Sequence, residues 1–318
     1  MSANKLHGFN SLMPITSRYP LWDQPGLQED ELAGRGFLPD APTDEREALV
    51  TSPISAAPEQ ILRMPGPSWT PFAAALATAA AFTAMTIKVA ALGWLAGAIA
   101  AAFYLYWLWS MDRGFPREPA DAGRGLALPL YVNGSRSVGW WGMVVLLIAD
   151  AAVVVSFAFA YVFLWTARPM EWPPDGSQLP GYPAAGGLAL LVLAAYALFE
   201  AAEKVNRRDR RLTSMLCLAA AAILGLIAVC LGFRWLNALG IDPTRHAYGA
   251  AVWTLLGYLG GHLALGAGMA LWCLARLALG MLNAWRSLTL RICLLWWRFT
   301  APASVLALLL VAGFPRVV

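Results

Sequence analysis

The sequence predicts an all-α integral membrane protein with seven transmembrane helices. Hydrophobic residues make up 59% of the chain and charged residues only 13%, and the mean hydropathy is +0.56. This composition is typical of a chain that lies mostly in lipid. A helix needs about 20 apolar residues to cross a hydrocarbon core of about 30 Å. Seven windows meet that requirement, at residues 70–89, 91–110, 138–165, 185–204, 213–236, 247–280 and 290–314.

These windows divide the chain into four segments. Residues 1–68 are polar and show no sustained period, which predicts an irregular cytoplasmic arm before the first helix. Residues 69–110 hold the first two helices, 111–137 form a cytoplasmic loop, and 138–318 hold the other five helices. In the arm, Tyr19 and Trp22 are the candidate contacts with a partner chain. The alternative is an arm that is a disordered tail.

The positive-inside rule predicts the orientation, because short cytoplasmic loops carry an excess of Lys and Arg. Alternate loops here are rich and poor in these residues, so we expect the amino terminus inside and the carboxyl terminus outside. The net charge of +4 needs no nucleic-acid partner, since such loops account for it. The cations of the rich loops are Arg113, Arg117, Arg124, Arg136, Lys204, Arg207, Arg208, Arg210, Arg211, Arg286 and Arg291.

Asp150 is the only charged residue in an apolar run from Val144 to Val155. An ionised carboxylate at such depth costs several kcal/mol, roughly 3 on insertion scales. Either Asp150 packs against a neighbouring helix and finds a donor there, or it serves a proton path, a lipid headgroup or a subunit contact.

Histidine and cysteine are too scarce for a redox centre in this chain. The only histidines are His7, His246 and His262, so neither a bis-histidine haem site nor a three-histidine copper site can be built. The four cysteines fall in or beside predicted helices without metal spacing, and we expect them to pack as small apolar residues. Any redox chemistry that the protein serves is therefore expected in another chain.

Two motifs resemble subunit III of cytochrome c oxidases. Gly142 and Met143, followed six residues later by Asp150, resemble that family's Gly-Met-x6-Glu. In the sixth window, Tyr248-Gly249, seven residues and the run from Gly257 to His262 are similar to the family's Tyr-Gly-x7-Gly-Phe-His-Gly-Leu-His.

Two further segments extend the resemblance to both ends of the chain. Trp296-Trp297-Arg298-Phe299 stands where the family has an aromatic-Trp-His-Phe sequence. The arm, from Tyr19 to Gln24, resembles the linker of oxidases in which subunits I and III are fused into one polypeptide. The order of two helices, a loop and five helices is also that of the seven-helix form of the family.

The resemblance implies both an architecture and a function. In that family the two-helix pair stands apart from the five-helix bundle and leaves a V-shaped cleft filled with lipid. The chain would be a non-catalytic subunit of a proton-pumping oxidase of the bacterial inner membrane. It would support subunits I and II, which would carry the haem and copper, and it would hold phospholipid and assist proton uptake. The electron donor, cytochrome c or quinol, stays open.

Several positions depart from the family pattern, and they weaken a proton relay more than a structural role. Asp150 replaces a Glu, Leu259 replaces the first His of a pair, and Arg298 replaces the His of the last helix. Asp150, His262 and Arg298 are the candidate lipid- or proton-linked groups. His262 has the alternative of a packing histidine bonded to a carbonyl, and Arg298 that of reaching a headgroup or an acidic partner.

Glycines in the sixth window predict close helix packing, as in small-xxx-small interfaces. Gly257, Gly260 and Gly261 are the candidate packing positions. Two other functions remain open, an assembly or scaffold factor for the same oxidase and a seven-helix transporter. A transporter would need broken helices at matching positions of two repeats, and the sequence shows no such repeat.

Overall fold

The computed structural model describes residues 15–32, 47–51, 57–63, 68–110, 120–121, 127–130, 137–174, 178, 180–284 and 286–317. Of the described residues, 78% are helical, in agreement with the predicted all-α membrane class. The arginines predicted to mark the 111–137 loop lie outside the described residues.

Seven apolar helices follow the predicted windows closely. Six of them, α4 to α9, are long and apolar enough to cross a membrane. The first, α3, has 17 residues and is therefore about 26 Å long, somewhat shorter than the hydrocarbon core. Multi-pass membrane character is thus confirmed, and a seventh crossing by α3 stays a prediction. The helices are α3 (Thr70–Thr86), α4 (Ala90–Ser110), α5 (Val138–Ala167), α6 (Tyr182–Asn206), α7 (Arg211–Ala238), α8 (Ala247–Ala278) and α9 (Leu288–Gly313).

The chain forms two compact units, Met1–Val132 and Asn133–Val318. In the first unit, the described parts of the arm are more regular than the sequence predicts. They contain α1 (Pro20–Asp23), α2 (Pro25–Leu32) and an antiparallel hairpin of β1 (Glu47–Thr51) and β2 (Pro58–Arg63).

The hairpin joins a second short hairpin through one backbone hydrogen bond, in which the Ile61 N–H donates to the Pro129 carbonyl at 3.0 Å. The second hairpin pairs β3 (Ala120–Asp121) with β4 (Ala127–Leu128). Ile61 and Leu128 are both buried within this unit. Burial of these two side chains explains why a polar segment adopts local sheet structure.

The first unit also holds α3 and α4, which are joined by a three-residue turn and pack on each other. Small side chains at the contact, such as Ala74 and Ala100, allow the close approach. The Thr78 and Tyr104 hydroxyls add an interhelical hydrogen bond of 3.2 Å. This is the predicted two-helix pair.

The second unit holds the other five long helices, α5 to α9. In it α6, α7, α8 and α9 form a closed ring of neighbouring helices, and α5 packs against α8 and α9. Ser137 begins α5 as its N-cap by accepting a hydrogen bond from the Trp140 N–H. The fully buried Trp297 occupies the centre of the bundle, and its indole N–H donates to the Gly266 carbonyl at 3.2 Å.

Two glycines of α8, Gly266 and Gly249, lie closest to atoms of neighbouring elements. A Cβ built on Gly266 would lie 3.1 Å from the Trp297 ring, and one on Gly249 would lie 2.7 Å from the Asp242 carbonyl oxygen. Among the described residues, nothing lies within 4 Å of the same position on Gly257 or Gly261, and Gly260 meets only the Phe233 ring, at 3.5 Å. The packing role of Gly257, Gly260 and Gly261 therefore stays a prediction, in which Gly260 already contacts α7 through the Phe233 ring.

Candidate functional site

A polar cluster lies inside the second unit where α5, α8 and α9 meet. We call Asp150, Tyr258, His262 and Trp296 the buried polar cluster. Asp150 lies twelve residues into α5, about 18 Å from its start. Tyr258 and His262 are four residues apart on α8 and therefore share one helix face. Trp296 enters from α9.

Within the cluster the Asp150 carboxylate contacts two side chains of α8. The Tyr258 hydroxyl donates a hydrogen bond to Asp150 Oδ1. His262 Nε2 lies 3.2 Å from Asp150 Oδ2. That second contact lacks hydrogen-bond geometry, so it is electrostatic. The structure thus brings together two of the three predicted polar residues, Asp150 and His262, and adds Tyr258.

Aromatic rings fix the orientation of the cluster. The His262 imidazole stacks on the Trp296 ring with centroids 4.5 Å apart and planes 11° apart. The Trp296 indole N–H donates to the His262 carbonyl at 3.0 Å, which holds α9 to α8 at this level. The Phe157 ring meets the Tyr258 ring edge-on at 5.3 Å. These contacts restrict both α8 side chains to positions beside the carboxylate.

Two polar atoms of the cluster retain hydrogen-bonding capacity. Asp150 Oδ2 and His262 Nδ1 are buried and make no hydrogen bond to the described residues. Purely structural polar groups are usually satisfied when they are buried, because an unsatisfied group costs about 1–3 kcal/mol. A carboxylate and an imidazole with spare capacity are suited to accept or release a proton.

Arg298, the third predicted residue, is not part of this cluster. It lies on the outer face of α9, where 51% of its side chain is exposed. Its Nη2 atom lies 3.7 Å from Glu200 Oε1 of α6. The structure therefore gives Arg298 the acidic partner that the sequence left as one of its alternatives.

A second charged cluster surrounds Glu203, which lies near the end of α6, one turn after Glu200. Only 3% of the Glu203 side chain is exposed, and its Oε1 accepts a hydrogen bond of 2.5 Å from Arg207 Nε. Arg291 Nε of α9 lies 3.6 Å from the same oxygen. A buried carboxylate between two guanidinium groups is strongly favoured over one without a partner. We read this cluster as a structural link between α6 and α9.

Polar contacts to backbone carbonyls extend that link to α8. Arg211 at the start of α7 donates to the Leu277 carbonyl at 3.0 Å and to the Ala278 carbonyl at 2.7 Å. Both carbonyls lie at the end of α8, where the regular helical hydrogen bonds stop, and the Leu277 carbonyl also accepts from the Gly280 N–H at 3.1 Å. The Asn206 amide donates to the Asn283 carbonyl at 3.0 Å. The cation-rich end of the bundle is thus held by side chains of the predicted arginine-rich loop.

Glu200, Glu203 and Tyr258 are the residues that sequence reasoning missed. Their signal was present, because Glu200 and Glu203 interrupt the last turns of an apolar window immediately before a run of arginines. Tyr258 stood inside the quoted motif and is four residues from His262, a spacing that places both on one helix face.

In the arm, Tyr19 is the residue just before the short helix α1, and Trp22 lies within that helix. Both are exposed, Trp22 at 87%, and they are therefore accessible to a partner. Within the part of the chain that the structure describes, no group of three or more His, Cys, Asp or Glu side chains is arranged to hold a metal ion.

Searches against family models and against curated proteins found no match to this chain.

Proposed function

We propose that the chain is subunit III of a haem-copper respiratory oxidase that passes electrons from cytochrome c or quinol to oxygen and pumps protons. In this role it carries no redox centre, and it stabilises the catalytic subunit, holds phospholipid and supports proton uptake. It would lie in the bacterial inner membrane with its amino terminus in the cytoplasm and its carboxyl terminus outside. Its partners would be subunits I and II, which would hold the haem and copper.

The observation that carries this proposal is the contact between Asp150 and His262. The two residues come from separate motifs, 112 positions apart, and each motif resembles the oxidase family independently. Two residues that are selected only because each lies in a motif are not expected to be in contact unless both motifs belong to the same fold. In the structure, their side chains lie 3.2 Å apart.

The geometry supports a proton-linked role for Asp150. The carboxylate has a hydroxyl donor on one oxygen and an imidazole nitrogen 3.2 Å from the other, so it lies within reach of groups that can exchange a proton with it. The buried polar cluster would then hold a proton near the catalytic subunit and release it as that subunit takes protons up.

The two-unit organisation supports the lipid-holding part of the proposal. The helix pair α3–α4 belongs to one unit and the bundle α5–α9 to the other. In the resembling family, lipid fills a V-shaped cleft beside the helix pair. Exposed aromatic and aliphatic side chains along α4 and α5 provide apolar surface for acyl chains.

Two other functions compete with this proposal. An assembly or scaffold factor would share the fold but leave the finished complex. A seven-helix transporter usually needs discontinuous helices around its substrate. In the described residues, α4 to α9 are each continuous, and α9 continues through its interior Pro302. That continuity disfavours the transporter.

Deletion of the gene separates the three functions. If the chain is subunit III, deletion membranes keep haem-copper absorbance, but their oxygen consumption decays faster during turnover. An assembly factor would instead leave little assembled oxidase. A transporter would leave both the absorbance and the decay unchanged, and that result would defeat the proposal.

A further inference from the structure

Three charged side chains form an exposed group on the seam between α6 and α9. Lys204 Nζ and Arg298 Nη2 lie 3.2 Å and 3.7 Å from the same atom, Glu200 Oε1. The two cations are 66% and 51% exposed, whereas the carboxylate is 24% exposed. The positive groups therefore face outward and the negative group inward. We propose that Lys204 and Arg298 bind the phosphate of an anionic phospholipid.

The level of this charged seam in the membrane supports the proposal. At the opposite end of the same seam, the Arg316 guanidinium lies over the Tyr182 ring at 4.4 Å. Glu200 lies eighteen positions after Tyr182 along α6, and Arg298 lies eighteen positions before Arg316. Eighteen helical residues span about 27 Å. The hydrocarbon core is about 30 Å thick. The charged seam thus falls at the boundary where lipid phosphates lie.

The balance of charge also favours an anion. Glu200 and Glu203 face four cations, Lys204, Arg298, Arg207 and Arg291. Glu203 is held inside by two of these cations, so Glu200 alone must balance both Lys204 and Arg298. One positive charge therefore remains for a ligand on the exposed side. A phosphodiester carries one negative charge, and each basic residue near the surface favours an anionic headgroup.

The chemistry of the two cations fits a phosphate in particular. A guanidinium presents parallel N–H donors that match two phosphate oxygens, and an ammonium adds a mobile point charge. Arg298 is anchored on a helix and needs little ordering on binding. The inference does not depend on the proposed oxidase function, because it uses only the seam, its level and its charge.

The test uses the full chain in a neutral detergent, titrated with phosphatidylglycerol or phosphatidylcholine and followed by native mass spectrometry. Wild type should bind phosphatidylglycerol in preference. Lys204→Gln and Arg298→Gln should each weaken that binding about fivefold, and the double variant more than either. Arg298→Lys should retain most of it. Arg245→Gln, an exposed cation of the α7–α8 loop, is the matched control and should change nothing.

Three results would overturn the proposal. The first is a folded double variant that binds phosphatidylglycerol as tightly as wild type. The second is competition by inorganic phosphate at millimolar concentration, which would mark a free-anion site. The third is loss of co-purifying protein chains from Arg298→Gln with lipid binding unchanged, which would assign the cations to an acidic protein partner. Retained helicity and thermal stability of Arg298→Lys and Arg298→Gln exclude misfolding as the cause.

Discussion

At the scale of single residues, Asp150 is the side chain best suited to a chemical role. A carboxylate in an apolar helix is expensive, and here the cost is offset by the Tyr258 hydroxyl and the His262 imidazole. A packing role for Asp150 requires a hydrogen-bond donor, and the Tyr258 hydroxyl is that donor. The unused capacity of Asp150 Oδ2 and His262 Nδ1 is what favours a proton-linked group.

Replacing Asp150 with Asn tests that role, because Asn keeps the shape and removes the ionisable proton. We expect Asp150→Asn to slow oxygen turnover of the complex or to shorten its active lifetime. Ser156→Ala, on an exposed face of the same helix, is the control and should behave as wild type. Turnover and lifetime equal to wild type from about pH 6 to about pH 9 would leave Asp150 with a packing role only.

Asp242 offers a second residue-scale prediction, in the loop between α7 and α8. Hydrogen bonds from the Thr244 hydroxyl and the Thr244 backbone N–H hold the pKa of this exposed carboxyl below its ordinary value of 3.8. A lowered pKa means that the stabilisation is present above the unfolded value and is lost as the pH falls through the folded value. The protection of the loop's backbone amides against deuterium exchange, corrected for the intrinsic exchange rate at each pH, should therefore be lower below pH 3.8 than above it. Asp242→Asn should remove that dependence, and a wild-type loop that shows no change would contradict the account.

At the scale of elements, helix packing is decided by a few close contacts. The Trp297 ring lies against Gly266 of α8 and Gly225 of α7, where a Cβ would come within 3.1 Å and 3.3 Å of it. We expect Gly266→Ala to destabilise the chain by about 1–3 kcal/mol, because the indole is fully buried and cannot move aside. Gly261→Ala is the matched control, and its effect should stay within about 0.5 kcal/mol. Unfolding in detergent measures both, and equal stability of the two variants would contradict this packing.

The positions of the helices could be predicted from the sequence, but their rotations could not. An apolar window marks a helix because the bilayer demands length and hydrophobicity, and α5 begins at the predicted residue, Val138. Which face of α8 meets α9 depends on how the Trp297 side chain fits against Gly266, and residue spacing alone does not show this fit. The Asp150 and His262 positions were predictable from motifs. The contact of Asp150 with Tyr258 depends on how α5 and α8 are rotated about their own axes, which the motifs do not show.

At the scale of the whole molecule, the arm can be tested for contact with a partner chain. Tyr19 and Trp22 are exposed within a short helical segment, and burial of two aromatic side chains at an interface is worth several kcal/mol. We expect Tyr19→Ala combined with Trp22→Ala to lower co-purification with subunit I at high salt while membrane insertion stays intact. Trp69→Ala, another exposed tryptophan, is the control. Full retention of the double variant would show that these side chains are dispensable.

Ile61, an apolar residue of the same arm, is not available to a partner. It is buried under the second hairpin, so a truncation that removes residues 1–60 would also break the first hairpin. Substitution of the exposed aromatic pair is the cleaner test of the arm.

The most direct test of the central claim is the ratio of haem to chain in a purified complex. The chain should be tagged, extracted from membranes in mild detergent and passed through size exclusion, with haem absorbance, copper and oxygen consumption measured across the peak. We predict a constant ratio of haem to chain and oxidase activity that elutes with both. The chain separated from that complex should be colourless and free of iron and copper. A tagged chain that elutes without haem, or that itself retains metal after chelation, would contradict its assignment as a metal-free subunit of an oxidase.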